Sequence, residues 1–456
     1  MSELPRLEIE KIKNHLDFRD FRLLRQTMKE ADSADIAEVF AQFDLESCVI
    51  LFRLIPSDKR ADVFSHLEFG RQEELLQELP DVVVTSVVNE MEPDDRTRLL
   101  EELPFEIRSQ IMLKLSPEER KMAWQLLSYP EDSVGRLMTP EFLVLRAEMQ
   151  VREALDLLRW SPSLPEDQLH NLFVADEEGK YLGDLSLAAL VVTDPPTRPV
   201  GDIMKTNAIA INANEDQEVA VDFFRKYDRS YLPVVDDDSV LLGIVTADDV
   251  FDVAEEEATE DIQQFGGQSN LEEGYFASSL VTLFQKRAGW LAIMFVGGVL
   301  TAAALQHYEE MTATMTWLAV FFPLIISSGG NTGSQAAAMV IRGIAVREME
   351  DSDWTRVFFR EASVGFGLGT VLAVLGFLLA VFVWNLGVLI GGVVALSLLG
   401  VVLFGGVVGA MLPFLFQRLR LDPAVSSSPL LASLVDIFGV LIFYNVARYI
   451  VMTWGP

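Results

Sequence analysis

The stretch Ser426-Ser-Ser-Pro-Leu-Leu-Ala-Ser-Leu-Val-Asp436-Ile-Phe-Gly-Val-Leu-Ile-Phe-Tyr-Asn-Val-Ala-Arg448-Tyr-Ile-Val451 decides how this chain is read. It is apolar and long enough to cross a bilayer as a helix, yet it holds a carboxylate well inside it. At about 1.5 Å per residue, Asp436 falls roughly 15 Å deep, near the middle of a hydrocarbon core about 30 Å thick. A charge at that depth is costly and by default marks an ion or proton path. The competing structural role is an Asp paired with Arg or capping a broken helix.

Working outward, the chain divides into two chemistries. The last 169 of its 456 residues carry nine acidic and seven basic side chains, whereas residues 1 to 287 carry 59 and 29, a net charge near −30. Such an excess of carboxylates repels itself unless something cationic offsets it. It excludes nucleic acid and an anionic membrane surface as natural partners and makes a divalent cation the obvious compensator. Cys48 is the only cysteine, so no intrachain disulfide exists and a reducing compartment is allowed. The first residues, Met1-Ser-Glu-Leu-Pro-Arg-Leu-Glu8, have no signal-peptide core, which places the acidic part in the cytoplasm.

Five apolar stretches follow Lys286-Arg287: about 288–305, 315–341, 362–384, 386–416 and 426–451. Only Asn385 and its neighbours join the third to the fourth, which demands a tight hairpin. Lys286 and Arg287 precede the first span, Arg342, Arg347, Arg356 and Arg360 lie between the second and third, and Arg418 and Arg420 follow the fourth. The two other loops have no Lys or Arg, so the amino terminus is expected inside and the carboxyl terminus outside a cell membrane. The second span contains Pro323-Leu-Ile-Ile-Ser-Ser-Gly-Gly-Asn-Thr-Gly-Ser-Gln335. Gly329 and Gly333 alone read as helix packing through small residues. Asn331 and Gln335 add polar oxygens, and with backbone carbonyls freed by irregular geometry they could line a water-filled path. One chain supplies few such groups, so a homodimer with two copies of Asp436 facing each other is the economical pore.

Between Ser133 and Asp261 the chain repeats itself. Val134-Gly-Arg-Leu-Met-Thr139 recurs as Val200-Gly-Asp-Ile-Met-Lys205, and residues 171–186 align without a gap on residues 231–246. Each unit alternates short β-branched runs with helical stretches, which resembles a tandem pair of cystathionine-β-synthase (CBS) domains. The second unit keeps the nucleotide-contacting Thr-x-x-Asp pattern as Thr246 and Asp249. The first has Ser186 and Ala189 there, so at least half of the nucleotide-contacting pattern is missing and ATP is not expected as a ligand of this chain. Residues 1 to 132 read as short helices punctuated by Pro56, Pro80, Pro93, Pro104 and Pro117, the last four spaced 11 to 13 apart as in a helical superhelix. Ser116-Pro-Glu-Glu119 is a helix start, with Ser as N-cap and Pro at the first position. An acidic run from Asp248 to Asp261 reads by itself as solvated surface or linker. Its place between the repeat and the spans, and the preference of Mg²⁺ for hard oxygen ligands, make it a candidate sensor. Tyr275 to Arg287 reads as a separate helix meeting the membrane.

The whole chain in this order resembles the MgtE family of magnesium channels, on the motifs Pro323 to Gln335, Gly409-Ala-Met-Leu-Pro413-Phe, Asp422-Pro-Ala424 and Asp436. The resemblance implies a multidomain fold: an all-α superhelical amino domain (1–132), an α/β CBS pair (133–262), a linker and plug helix (263–287), and an all-α domain of five transmembrane helices (288–456). It implies no enzyme activity and a homodimer whose two Asp436 carboxylates hold a hydrated Mg²⁺ at the pore centre, with the Ala432 carbonyl, Gly330 and Asn331 nearby. It also implies passive influx closed by regulatory Mg²⁺ bound among Asp94, Asp95, Asp216, Glu218, Asp228, Asp249, Asp252, Glu257, Glu260, Asp261 and Asp422. This chain departs from what the resemblance leads one to expect at Ser334 and Ser428, where the best-known pattern has Asn, both near the expected cytoplasmic mouth. No phosphate-binding Gly-rich loop or Asp-Lys-Thr-Gly motif supports pumping. A membrane metalloprotease would need zinc ligands, and His15, His66, His170 and His307 form no His-Glu-x-x-His. An anion channel conflicts with the charge. A sensor without transport and a divalent cation channel of broader selectivity remain as alternatives.

Overall fold

The computed structural model describes residues 9–160, 171–206, 209–271, 275 and 278–454. The chain forms two compact units, Met1–Glu256 and Glu257–Pro456.

The first unit begins with α1 (Ile9–Asp17), α2 (Phe21–Glu30), α3 (Ser33–Phe40), α4 (Leu45–Leu54), α5 (Arg60–Ser65), α6 (Phe69–Glu78), α7 (Asp81–Glu90), α8 (Pro93–Glu102), α9 (Phe105–Lys114) and α10 (Pro117–Leu126). The last five helices start at residues 69, 81, 93, 105 and 117, a period of twelve. The cause is local. Leu79, Met91, Leu103 and Leu115 each cap a helix C-terminus in an extended conformation, bury their side chains, and are followed at once or after one residue by proline. Proline forbids its predecessor the helical region and then starts the next helix with φ already set. Ser116 caps α10 as the sequence predicts, its hydroxyl accepting from Glu119 N at 3.1 Å. Most of these helices pack on the next but one, as α3 on α5, α5 on α7, α7 on α9 and α8 on α10, which winds the segment into a superhelix over one apolar core.

Next come α11 (Val134–Leu137), β1 (Val144–Arg146), α12 (Val151–Arg159), β2 (Asn171–Ala175), β3 (Tyr181–Ser186), α13 (Leu187–Val192), β4 (Ile211–Asn212), α14 (Gln217–Tyr227), β5 (Tyr231–Val235), β6 (Leu241–Thr246) and α15 (Ala247–Phe265). The two three-stranded sheets have the same order, parallel then antiparallel. Asn171 pairs Ser186 as Tyr231 pairs Thr246, and the register slips after Val174 as it does after Val234. The repeat seen in the sequence is therefore a structural one. Lys180 and Val240, equivalent positions in the two repeats, bridge to each other and so mark the local dyad between them. The ion pair of Arg229 with Asp184 joins the repeats, while the equivalent of Asp184 in the second is Ile244.

The second unit contains α16 (Leu280–His307), α17 (Glu309–Thr314), α18 (Trp317–Ala345), α19 (Trp354–Leu378), α20 (Val388–Arg418) and α21 (Ser428–Trp454). α16, α19 with its continuation, α20 and α21 are each long and apolar enough to cross a membrane. α18 is long enough at 29 residues, but its Ser, Gly and Asn content makes it less apolar. Asn385 (φ 51°) and Gly387 (φ 85°) turn the chain sharply between α19 and α20, the hairpin the sequence demands.

Three expectations change. The helix expected over residues 275–287 is not a separate element: from Leu280 it is the first turns of α16, because no proline interrupts the run to His307, and Ser279 caps it by accepting from Thr282 N at 3.1 Å. Phe276 and Ala277 lie outside the described residues. The acidic run is instead a 19-residue helix, α15, anchored by buried Val250 and Val253. The backbone of α18 is also continuous through its polar stretch, with no irregular segment to free carbonyls at Gly329 or Gly330.

Candidate ion path and carboxylate cluster

α18 and α21 run side by side in opposite directions. Ser334 Oγ lies 2.8 Å from Ser428 Oγ, a Cβ on Gly330 would stand 4.0 Å from Ala432 Cα, and one on Gly439 would press on Ile326. Asp436 therefore lies between the Gly330–Ala432 and Ile326–Gly439 levels, on the same stripe of α21 as Ala432 one turn before it. Among the described residues it has no hydrogen bond or ion pair, so the structural role of an Arg-paired Asp is not what the fold shows. On α18 the glycines separate by face. Gly329 and Gly333 are buried against Val401 and Gly405 of α20, a close backbone approach through small residues. Ser327, Asn331 and Gln335, spaced four apart, form an exposed polar stripe, and Asn331 Nδ2 reaches Ser327 Oγ at 3.5 Å. Ser334 and Ser428 thus hydrogen-bond each other, which the sequence did not reveal because they are 94 residues apart.

The carboxylate cluster sits in the first unit, where α8 meets the start of α15. Asp94 is buried, with Oδ1 lacking any partner. Burial pushes its carboxyl well above the usual range, and Asp249, Asp95 and Glu92 add to the effect. Burial likewise raises Asp249 to about 7, against hydrogen bonds from Thr246 and Asp94 that favour the charged form, with Asp248 and Asp95 raising it further. Asp95 is raised by burial too, offset in part by a hydrogen bond from Ser65 and by Arg98 and His66. Like charges crowded in a desolvated place retain protons unless a cation arrives. Asp252 is held by Arg98 at 3.3 Å, and the same guanidinium pairs with Glu256. Arg98 is the member of this cluster that sequence reasoning missed, since nothing local connects it to residues more than 150 positions away.

The remaining candidates are scattered. Asp216 caps α14 by accepting from Glu218 N at 2.9 Å, and Asp228 ends that helix in a left-handed conformation (φ 47°). Both are exposed. In the second unit Glu260 accepts from Gln264 and Asn270, Glu257 and Asp261 are half-buried, and Asp422 accepts from Ala424 N at 2.8 Å, capping the turn before α21. Among the described residues no three Asp, Glu, His or Cys side chains converge at metal-ligand spacing. Caps and Arg98 engage several of these carboxylates separately. The residues nonetheless fit a hard cation: Asp94 offers an orphaned buried oxygen, with Asp95 and Asp249 as its neighbours and Asp248 beside those two.

A pH dependence follows. Asp249 has a folded-state value above that of an unfolded chain, so its contribution to the α8–α15 contact is full below about pH 4 and is lost as pH rises through about 7, and Asp94, shifted in the same direction, acts in the same sense. Without divalent cations, thermal unfolding of the first unit should move to lower temperature between pH 5 and 8, and millimolar Mg²⁺ should restore more of it at pH 8 than at pH 5. A melting temperature flat over that range would count against the protonated cluster.

The comparisons with known proteins agree with this architecture. Residues 322–446 match the family model described as divalent cation transporter, residues 31–132 the MgtE intracellular N domain, and residues 134–192 and 200–256 the CBS domain. The chain is 38% identical over 432 residues to the magnesium transporter MgtE of Thermus thermophilus, covering 94% of this chain and 95% of that one. It is 32% identical to that of Bacillus subtilis over 71% of this chain and 70% of the relative. A crystal structure of the cytosolic domain of the Mg²⁺ channel MgtE in complex with ATP superposes with a TM-score of 0.51 at 33% identity, over 54% of this chain and 99% of that one. From its amino-terminal superhelix to the carboxylate-bearing last helix, the chain belongs to the MgtE family of divalent cation transporters.

Proposed function

We propose that this chain is a membrane channel for Mg²⁺ and no enzyme, conducting passively under the membrane potential and closed by Mg²⁺ on its cytoplasmic side. The observation that carries the conduction reading is Asp436, without a partner among the described residues, in a span with no other carboxylate, on a stripe shared with Ala432 and beside the polar stretch of α18. The relatives named as magnesium transporters supply the ion. In this reading α16, α18, α19, α20 and α21 are five spans with the amino terminus inside and the carboxyl terminus outside, and two chains meet so that their Asp436 carboxylates flank one hydrated ion, with Asn331 and Gly330 close by. A pair of carboxylates binding the ion through its waters suits Mg²⁺, which dehydrates reluctantly.

Closure is assigned to the acidic groups. Asp94, Asp95, Asp248 and Asp249 would share an ion across the α8–α15 contact. The exposed Asp216, Glu218 and Asp228, together with Glu257, Glu260, Asp261 and Asp422, would supply weaker sites that favour the same state, while Asp252 is engaged by Arg98. Several weak sites binding one state preferentially can sum to the roughly 5.5 kcal/mol that a near-complete switch needs. Because the cytosolic-domain neighbour was solved with ATP, nucleotide binding is assigned to the second repeat alone, where Thr246 and Asp249 stand; the first has Ser186 and Ala189. The family description favours a second reading, in which other divalent cations also pass.

The test is Mg²⁺ uptake into proteoliposomes under an inside-negative potential, comparing the full chain with one lacking Met1–Glu256. Uptake by the full chain should fall as Mg²⁺ on the cytoplasmic side rises from micromolar to several millimolar, and the shortened chain should take up Mg²⁺ regardless. No uptake by the full chain at low Mg²⁺ would leave a sensor without transport as the account. Co²⁺ carried at a comparable rate would select the broader channel.

A further inference from the structure

α15 presents Asp248, Asp249, Asp252, Glu255 and Glu256 within its first ten residues and has no Lys or Arg anywhere along its length. A cation from the amino domain meets the first half of this helix. Arg98 stands on α8, one turn after Asp94 and Asp95, and its guanidinium spans Asp252 and Glu256, which are themselves one turn apart on α15. A planar fork matches two carboxylates at that spacing as a single ammonium does not. One surface of α8 thus presents two unlike devices to α15: a carboxylate pair that needs an added cation, and a tethered cation that does not.

We propose that Arg98 is a positioning residue for closure, pre-docking α8 on α15 so that Mg²⁺ has only to complete the Asp94, Asp95, Asp248 and Asp249 cluster. The inference rests on the reading that Mg²⁺ closes that cluster. Docking by Arg98 lowers the ordering cost that the first ion would otherwise meet, and so sets the Mg²⁺ concentration at which closure occurs. Its ion pairs are half-exposed, so they are weak and sensitive to salt. A threshold device needs that modest strength: a rigid clamp would close the protein without Mg²⁺.

The test is Mg²⁺-dependent protection of the purified full-length protein from limited proteolysis, titrated at low and at about 0.5 M monovalent salt. Arg98→Gln should raise the Mg²⁺ half-point for protection about two- to fivefold at low salt, as expected from losing one exposed bidentate contact. High salt should raise the native half-point toward that of Arg98→Gln and move the variant less. The double charge swap Arg98→Glu with Glu256→Arg should bring the half-point back toward native, which a merely structural role for Arg98 would not produce. A half-point that is unchanged, or that falls because the guanidinium had been competing with Mg²⁺, overturns the proposal while leaving Mg²⁺ closure intact. A native protein that Mg²⁺ does not protect at any concentration overturns both.

Discussion

Replacing Asp436 with alanine is expected to abolish Mg²⁺ uptake while leaving the protein folded. The carboxylate has no partner among the described residues, so its loss breaks no hydrogen bond or ion pair in the fold. What disappears is attraction for the ion. Opposite unit charges roughly 5 Å apart, at an effective dielectric constant of about 20, attract by about 3 kcal/mol, and a divalent ion doubles that. Even the smaller figure corresponds to a loss of about a hundredfold in occupancy. Asp436→Asn keeps the shape and removes the charge, so it should match alanine, whereas Asp436→Glu should retain part of the uptake. Near-native uptake by the Asn variant would mean that α21 does not bind the ion through this charge. The measurement is proteoliposome uptake, normalised to protein that elutes as a single species.

A second large effect is expected at Gly409, and it acts on folding. A Cβ there would overlap the Gly333 carbonyl, as one on Gly405 would overlap the carbonyl of Gly329. The obstacle is backbone rather than a flexible side chain, so the α18–α20 seam has to open. Gly409→Val should cost at least about 3 kcal/mol, a large share of a marginal stability, and lower the yield of folded protein severely. Gly289, whose Cβ would meet nothing, is the control: Gly289→Ala should be tolerated. Equal yields of the two variants would show that the seam is not tightly packed. The same contact bears on conduction, because α18 carries the polar stripe and is held against α21 and α20 together.

How far the sequence led depends on whether each signal was local. The residue offset of 60 between the two CBS repeats is visible without coordinates, and the structure reproduces it down to the slipped register after Val174 and Val234. The proline spacing found the amino-domain superhelix because a proline acts on its immediate neighbours. The hairpin at Asn385 was legible for the same reason. Three features were not. The acidic run looked like linker because its charges hide the two valines that anchor α15. The continuity of α18 was hidden because Gly and Ser, poor helix formers in water, are held in a helix by the backbones they let approach. Arg98 and the Ser334–Ser428 pair depend on partners remote in sequence, which only the fold brings together.

α16 has no buried residue, and within its unit it leans chiefly on α21 through Gly297 against Ser433 and Met294 Sδ near Ser433 Oγ. A helix apolar on all sides partitions into lipid without help. α18 is the opposite case, with a polar stripe and bare glycines that are satisfied only when α20 and α21 are present. During synthesis the ribosome delivers α16 first and α21 last. The early helix can therefore enter the bilayer by itself, whereas α18 gains its packing only once α20 and α21 have followed. The order of the spans along the chain is in this sense an assembly schedule, beginning with the segment that needs no companion.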